Sequence, residues 1–251
     1  MRLLPLLLSA GLLQAQAPAT TAPATSAPPA QTGPLTLDQV LQKFFDAQGG
    51  LARLKAIQSR RMQGHIEGLS QPITFDQLNA RPDRIRLVTT LEALPAAPGT
   101  AGVPASTQIK TYDGKTGWAW STTETPRKLA PEEIQVLDAD FDGPLVDAEA
   151  KGNRIEFLGE QTFQNQQALV LKVTLKDKRV QTLYLDPKTY LKFAQVNGEG
   201  KAGTELDFWD YQEVQGTPVA FTVIIGPVSV RLDKVDLNPA VTDADFQPPK
   251  K

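Results

Sequence analysis

Cysteine is absent and histidine occurs once, at His65, so the residue types that most often do chemistry are scarce in these 251 residues. Without cysteine there can be no disulfide, no thiolate zinc site, no cysteine nucleophile and no lipid-modified cysteine. One histidine cannot supply the ligands of a zinc site. A Ser-His-Asp arrangement would need a nucleophile turn such as G-x-S-x-G, and the chain carries none. His65, next to Gly64 on an expected strand, therefore reads as a surface or satisfied side chain. Two acidic clusters remain. Asp138, Asp140, Asp142, Gly143 and Glu149 match the calcium-loop spacing D-x-D-x-D-G-x5-E. Pro144 stiffens the position that must offer a carbonyl, and Gly152 cuts the exiting helix short, so these acids read as caps and solvating groups of a surface segment. Glu205, Asp207 and Asp210 lie on or beside one expected strand. Nothing opposes two of their carboxyls as a glycosidase would, so they read as a solvated outer face. The expectation is a protein that is not an enzyme, with no catalytic residue, no metal and no cofactor.

The elements that would position any site change character along the chain. Met1 and Arg2, an apolar run over 3–13 and the small-x-small Ala15-Gln16-Ala17 make residues 1–17 an export signal. The run is too short to span a membrane. Residues 18–34 are Ala, Pro, Thr and Ser with no aromatic residue, the composition of a disordered tether. Folding is expected over 35–251. Thr36, Asp38 and the apolar face of Leu37, Val40, Leu41, Phe44 and Phe45 predict a helix over 35–48, ended by Gly49-Gly50, with a short helical stretch over 51–57.

From there the apolar period is two. Alternation runs from Ile73 to Leu232 in roughly eleven short strands, separated by turns such as Asp113-Gly114, Asp186-Pro187 and Asn197-Gly198. Residues 131–152 interrupt it with helix caps and acids, and predict a helix-and-loop insert over one face or mouth. The fold class is mainly β: a single large curved antiparallel sheet with an N-terminal helix and a mid-chain helical insert as lid. A hydrophobic fraction of 41% supports a substantial core, and a net charge of −2 gives no electrostatic reason to expect nucleic acid or an anionic membrane surface.

Four stretches in this order resemble the LolA-like outer-membrane lipoprotein-sorting family: R-P-D-R-I-R at 81–86, Y-D-G-K-T-G-W at 112–118, F-D-G-P-L-V-D at 141–147 and F-Q-P-P at 246–249. The resemblance covers 35–249, and the Ala- and Pro-rich loop at 94–106 departs from it. It implies a half-open β-barrel in the periplasm that carries acyl chains of lipoproteins or lipids. Its partners would be lipid-anchored proteins or lipids, together with inner- and outer-membrane transport components, and the protein would be a monomer. Trp118, Trp120, Leu171, Val173, Phe193, Phe208, Phe221 and Val223 are the expected inner face. Periodicity alone fits an ordinary filled core; the resemblance implies a cavity. It also places Arg81 at the mouth of the half-barrel, where Pro82 favours extended backbone and a guanidinium can latch several lid carbonyls. The alternative is an envelope-stress sensing and interaction module of the same fold. Such a regulator would carry a second C-terminal domain, so the carrier is the expectation.

Overall fold

Thr36 starts the first helix, α1 (Leu37–Ala47). Its hydroxyl accepts from the Gln39 amide N–H, and the Gln39 side chain accepts from the Thr36 N–H in return. A second helix, α2 (Leu51–Ala56), follows after Gly49 and Gly50. The computed structural model describes residues 34–96, 101–137, 140–200 and 203–249. The expected export signal and all but the last residue of the expected tether lie outside these residues.

Thirteen strands form one antiparallel sheet. The first half contributes β1 (Ser59–Glu67), β2 (Ile73–Ala80), β3 (Arg84–Leu91), β4 (Ser106–Tyr112), β5 (Gly117–Ser121) and β6 (Arg127–Lys128). The second contributes β7 (Arg154–Phe163), β8 (Gln166–Thr174), β9 (Val180–Leu185), β10 (Lys192–Asn197), β11 (Thr204–Val214), β12 (Thr217–Ile225) and β13 (Val228–Leu237). Each half is a meander, and β1 pairing with β13 joins them, giving the order β6-β5-β4-β3-β2-β1-β13-β12-β11-β10-β9-β8-β7. Thirteen strands stand against roughly eleven expected from alternation, and two show none. β1, S-R-R-M-Q-G-H-I-E, has too many polar residues to show alternation, and β6 is two residues long.

The sheet does not close. β6 and β7 are its edges, and among the described residues each is paired on one side only. The chain between them, with α3 (Pro131–Val136) and α4 (Ala148–Lys151), therefore runs from one free edge to the other. The insert expected over 131–152 is this bridge.

Irregularities curve the sheet. Register shifts fall at Gln63/Gly64, between Phe157 and Glu160, and between Lys192 and Ala194. In β11, Asp210 adopts a left-handed φ of 52°. At Gly64 the strands approach so closely that a Cβ would sit 1.9 Å from the Arg231 carbonyl oxygen. The main packed core lies where α1 meets β8 and β9: Val40 and Leu145 bury against Leu169, Leu171, Val173, Leu183 and Leu185. The F-Q-P-P end follows a 3-10 turn, Asp243–Phe246, and Phe246 seals a smaller cluster with Leu78 and Ala80.

Candidate functional site

Beyond the packed end the concave face is not filled. A cavity of about 1270 Å³ runs across it, larger than the usual range for small-molecule pockets. The strands give it Met62 and Phe75, Leu183, Phe208, Val219, Ala220 and Val223, then Val230, Leu232 and Leu237. Phe44 of α1, Leu54 of α2 and Ile57 line it from the helical side, and Phe141, Pro144, Leu145 and Val146 of the insert roof it. Phe75 is opposite Gly64 in the β1–β2 register, and the absence of a Cβ there lets its ring lie over the strand.

Arg81 ties the roof to the wall. It lies in the turn between β2 and β3. Its guanidinium donates to the Ile57 carbonyl at 2.6 Å and to the Leu54 carbonyl at 2.8 Å, two groups at the open end of α2. It also forms an ion pair with Asp142 of the insert. The Phe141 ring lies 4.9 Å from the Arg81 guanidinium carbon and 5.4 Å from that of Arg60. Lys55 of α2 pairs with Asp147 at 2.6 Å, and Arg53 donates to the Gln215 carbonyl at 2.7 Å, so helix, insert and the β11–β12 hairpin are joined at one mouth.

No protein-family model matches the sequence, and no curated protein does. Solved structures do match. An outer membrane lipoprotein-sorting protein domain from Vibrio parahaemolyticus aligns at TM-score 0.52 and 13% identity, over 83% of this chain and 94% of that one. A DUF1329 family protein from Desulfovibrio piger aligns at 0.52 and 14%, over 82% and 97%. A LolA superfamily protein from Nitrosomonas europaea aligns at 0.55 and 11%, over 85% and 98%. The chain has the LolA-like fold.

Within this LolA-like half-barrel the eight residues expected on the inner face separate into four groups. Phe208 and Val223 line the cavity. Leu171 and Val173 face the same way but lie in the packed core under α1. Trp118 and Trp120 are on the opposite face: Tyr112 lines the cavity and pairs with Gly117, so the next residue points away from it. That places Trp118 beneath the Lys128 ammonium on the outside. Phe193 and Phe221 are displaced by irregularities. The shift between Lys192 and Ala194 brings Lys192 and Gln195 to the cavity, and Phe193 joins Phe163 and Tyr184 in an aromatic cluster. Tyr184 lies between Leu183 and Leu185 of the core, so this cluster is on the outer face. Phe221 falls in the β12 stretch opposite Asp210, where Tyr211 and Ala220 face the cavity instead.

Asp140, Asp142, Glu205, Asp207 and Asp210 are engaged in ion pairs and hydrogen bonds. The Lys151 ammonium sits 2.6 Å from Asp140 Oδ1 and 2.7 Å from the Gly143 carbonyl, where the calcium-loop reading would put the metal. Asp142 is held by Arg81, and Asp138 lies outside the described residues. Among the described residues no three His, Asp or Glu side chains are grouped to hold a metal. Glu205 and Asp207 both accept from the Gln164 amide, at 2.7 and 2.9 Å. His65 lies between Glu67 and Asp233 on exposed strand surface. Inside the cavity, burial pushes the Tyr211 phenol well above its usual range, so it stays neutral and donates to the Lys192 carbonyl at 2.6 Å. Burial also raises Asp83, and the negative charge of Asp140 adds to it. Sequence reasoning missed Phe75, Arg60 and Lys192 as cavity residues. Arg60 lies in a strand too polar to show alternation, and Lys192 falls between the alternating Leu191 and Phe193.

Proposed function

We propose that this protein is a non-enzymatic carrier of the bacterial envelope that binds acyl chains of lipids or lipid-anchored proteins in the concave cavity. The observation that carries the reading is the unfilled, mainly apolar cavity under a roof that spans the two free edges of the sheet. An acyl chain leaving a membrane must be kept from water, and its burial contributes about 0.8 kcal/mol per methylene, on the order of 10 kcal/mol for sixteen carbons. An apolar groove of this size without a roof would aggregate. Phe208, Val223 and the neighbouring aliphatic residues of β12 and β13 would contact the chain, and the insert and α1 would cover it. Export by the N-terminal signal would place the carrier in the periplasm. Among the described residues no helix is long and apolar enough to cross a membrane.

Protein purified from the periplasm is expected to release acyl lipid on extraction and to take up a fluorescent fatty acid with saturable stoichiometry near one. Mass spectrometry of the extract and a titration read both. An extract free of lipid together with no probe uptake would overturn the carrier reading.

A further inference from the structure

An antiparallel sheet with one covered face is expected to be polar on the other. Behind the packed core this sheet is not. Leu169 and Leu171 lie in the core under α1, so Val170 between them points outward. Val170 stands opposite Tyr184 in the register, and Tyr184 stands opposite Ala194. Val170 is 1% and Ala194 0% exposed, although α1 covers the other side of the sheet. The aromatic cluster on this outer face accounts for that burial. The Phe163 ring stacks on Tyr184 at 3.8 Å, and the Phe193 ring lies 6.4 Å from each. The same row runs on through Asp207, opposite Ala194, to Ile224. Two residues along β11 stands Trp209, also on the outer face because Phe208 lines the cavity. It is 55% exposed, more than any other large hydrophobic side chain among the described residues.

Negative charge frames this apolar face. Glu205 and Asp207 both accept from the amide of Gln164, the neighbour of Phe163, and Asp210 accepts from the amide of Gln212 at 2.9 Å. Both donors are neutral. Among the described residues none of these three carboxylates forms an ion pair, so their charge is left for something outside the chain to meet. A tryptophan standing in water beside an aromatic cluster, with charge at its border, has the make-up of an interface core and its polar rim. The side chain that satisfies both parts at once is arginine. Its guanidinium stacks flat on an indole and forks a carboxylate, whereas a lysine ammonium meets a carboxylate only as a point charge.

We propose that this outer face docks an arginine-bearing, apolar segment of a partner protein, with Trp209 and the Phe163–Tyr184–Phe193 cluster taking its apolar side chains and Glu205 and Asp207 its guanidinium groups. Charge complementarity selects that occupant over an acidic or neutral one. The face lies across the sheet from the cavity, so a partner can engage it whether or not the cavity is filled. The proposal therefore goes beyond the acyl-chain reading and does not depend on it.

Fluorescence anisotropy with three short labelled peptides tests it: alternating arginine and leucine, alternating lysine and leucine, and alternating glutamine and leucine. The unaltered protein is expected to bind the arginine peptide about tenfold more tightly than the lysine peptide, and the glutamine peptide least. In Trp209→Ser the arginine peptide binds about tenfold more weakly. With Glu205→Gln and Asp207→Asn together it binds no better than the glutamine peptide. Glu124→Gln with Glu132→Gln removes the same charge from the β5–β6 turn and α3, and is expected to leave binding unchanged. An equal loss in that control, or equal affinity for all three peptides, would overturn the proposal. So would a dimer seen by sedimentation and abolished in Trp209→Ser, which would give the face to a second copy of this chain. Uptake of a fluorescent fatty acid by Trp209→Ser is expected to match that of the unaltered protein. Intact uptake without peptide preference would sink this proposal alone, and peptide preference without uptake would sink the acyl-chain reading alone.

Discussion

Arg81 gathers two helix-end carbonyls, an insert carboxylate and an aromatic face around one guanidinium, and lysine could not reproduce that fork. Its bonds join α2 to the insert, the two pieces that cover the cavity, so its removal should act on opening rather than on the wall. Arg81→Leu is expected to fold and to bind a fluorescent acyl probe, while probe exchange with acceptor vesicles changes by at least about fivefold, since lid opening commonly sets such rates. Stopped-flow transfer measurements check this, and unchanged kinetics would remove Arg81 from the mechanism. Single residues also show where alternation misleads. Phe193 and Phe221 belong to runs that alternate in sequence, but a register shift at Phe193 and the left-handed Asp210 opposite Phe221 change which side chain points inward.

Among the elements, β1 matters most, because its pairing with β13 is the only junction between the two meanders in the described sheet. At its irregular point Gly64 has backbone where a side chain would stand. Gly64→Ala must push the Arg231 carbonyl aside and should lower the unfolding free energy by at least about 3 kcal/mol. Urea unfolding reads the loss, and a change below about 0.5 kcal/mol would show that the junction yields easily. The insert is held by buried Phe141, Leu145 and Val146 and by two ion pairs, Lys55 with Asp147 and Arg81 with Asp142. The exposed Lys55–Asp147 pair adds little stability, whereas Arg81–Asp142 is largely buried.

Over the whole molecule, among the described residues, seven carboxylates are held below their usual range by hydrogen bonds: Glu67 from Arg231, Asp76 from Arg61, Asp245 from Thr242, Glu133 from Arg127, lowered to about 2, and Asp113, Asp177 and Asp186, where burial raises the pKa but hydrogen bonds outweigh it. A group with a depressed folded pKa contributes stability that is present above its unfolded pKa and lost as pH falls through the folded one. Asp83, raised by burial, works in the opposite sense but stands against seven. The urea midpoint is therefore expected to be flat from about pH 7 to 5 and to fall from about pH 4.5 toward 2. A midpoint that held constant down to pH 2 would contradict these assignments.

Local pattern was enough to determine the helix at 37–47, most of the strands and the insert, because caps, turns and alternation act over a few residues. The order and spacing of four short stretches pointed to the fold. Alternation says that residues share a face, but it cannot say which face is covered, and it loses phase at every bulge. Hence Phe208 and Val223 line the cavity while Trp118 and Trp120 stand outside it. The pairing of β1 with β13 joins residues more than half the chain apart, through strands of which one shows no pattern. Whether the concave face is filled or hollow depends on how far the sheet curves and where α1 comes to rest. Those are properties of the summed bulges and of packing between distant segments, so only the tertiary structure could decide that one end of the face is a core and the rest is a cavity.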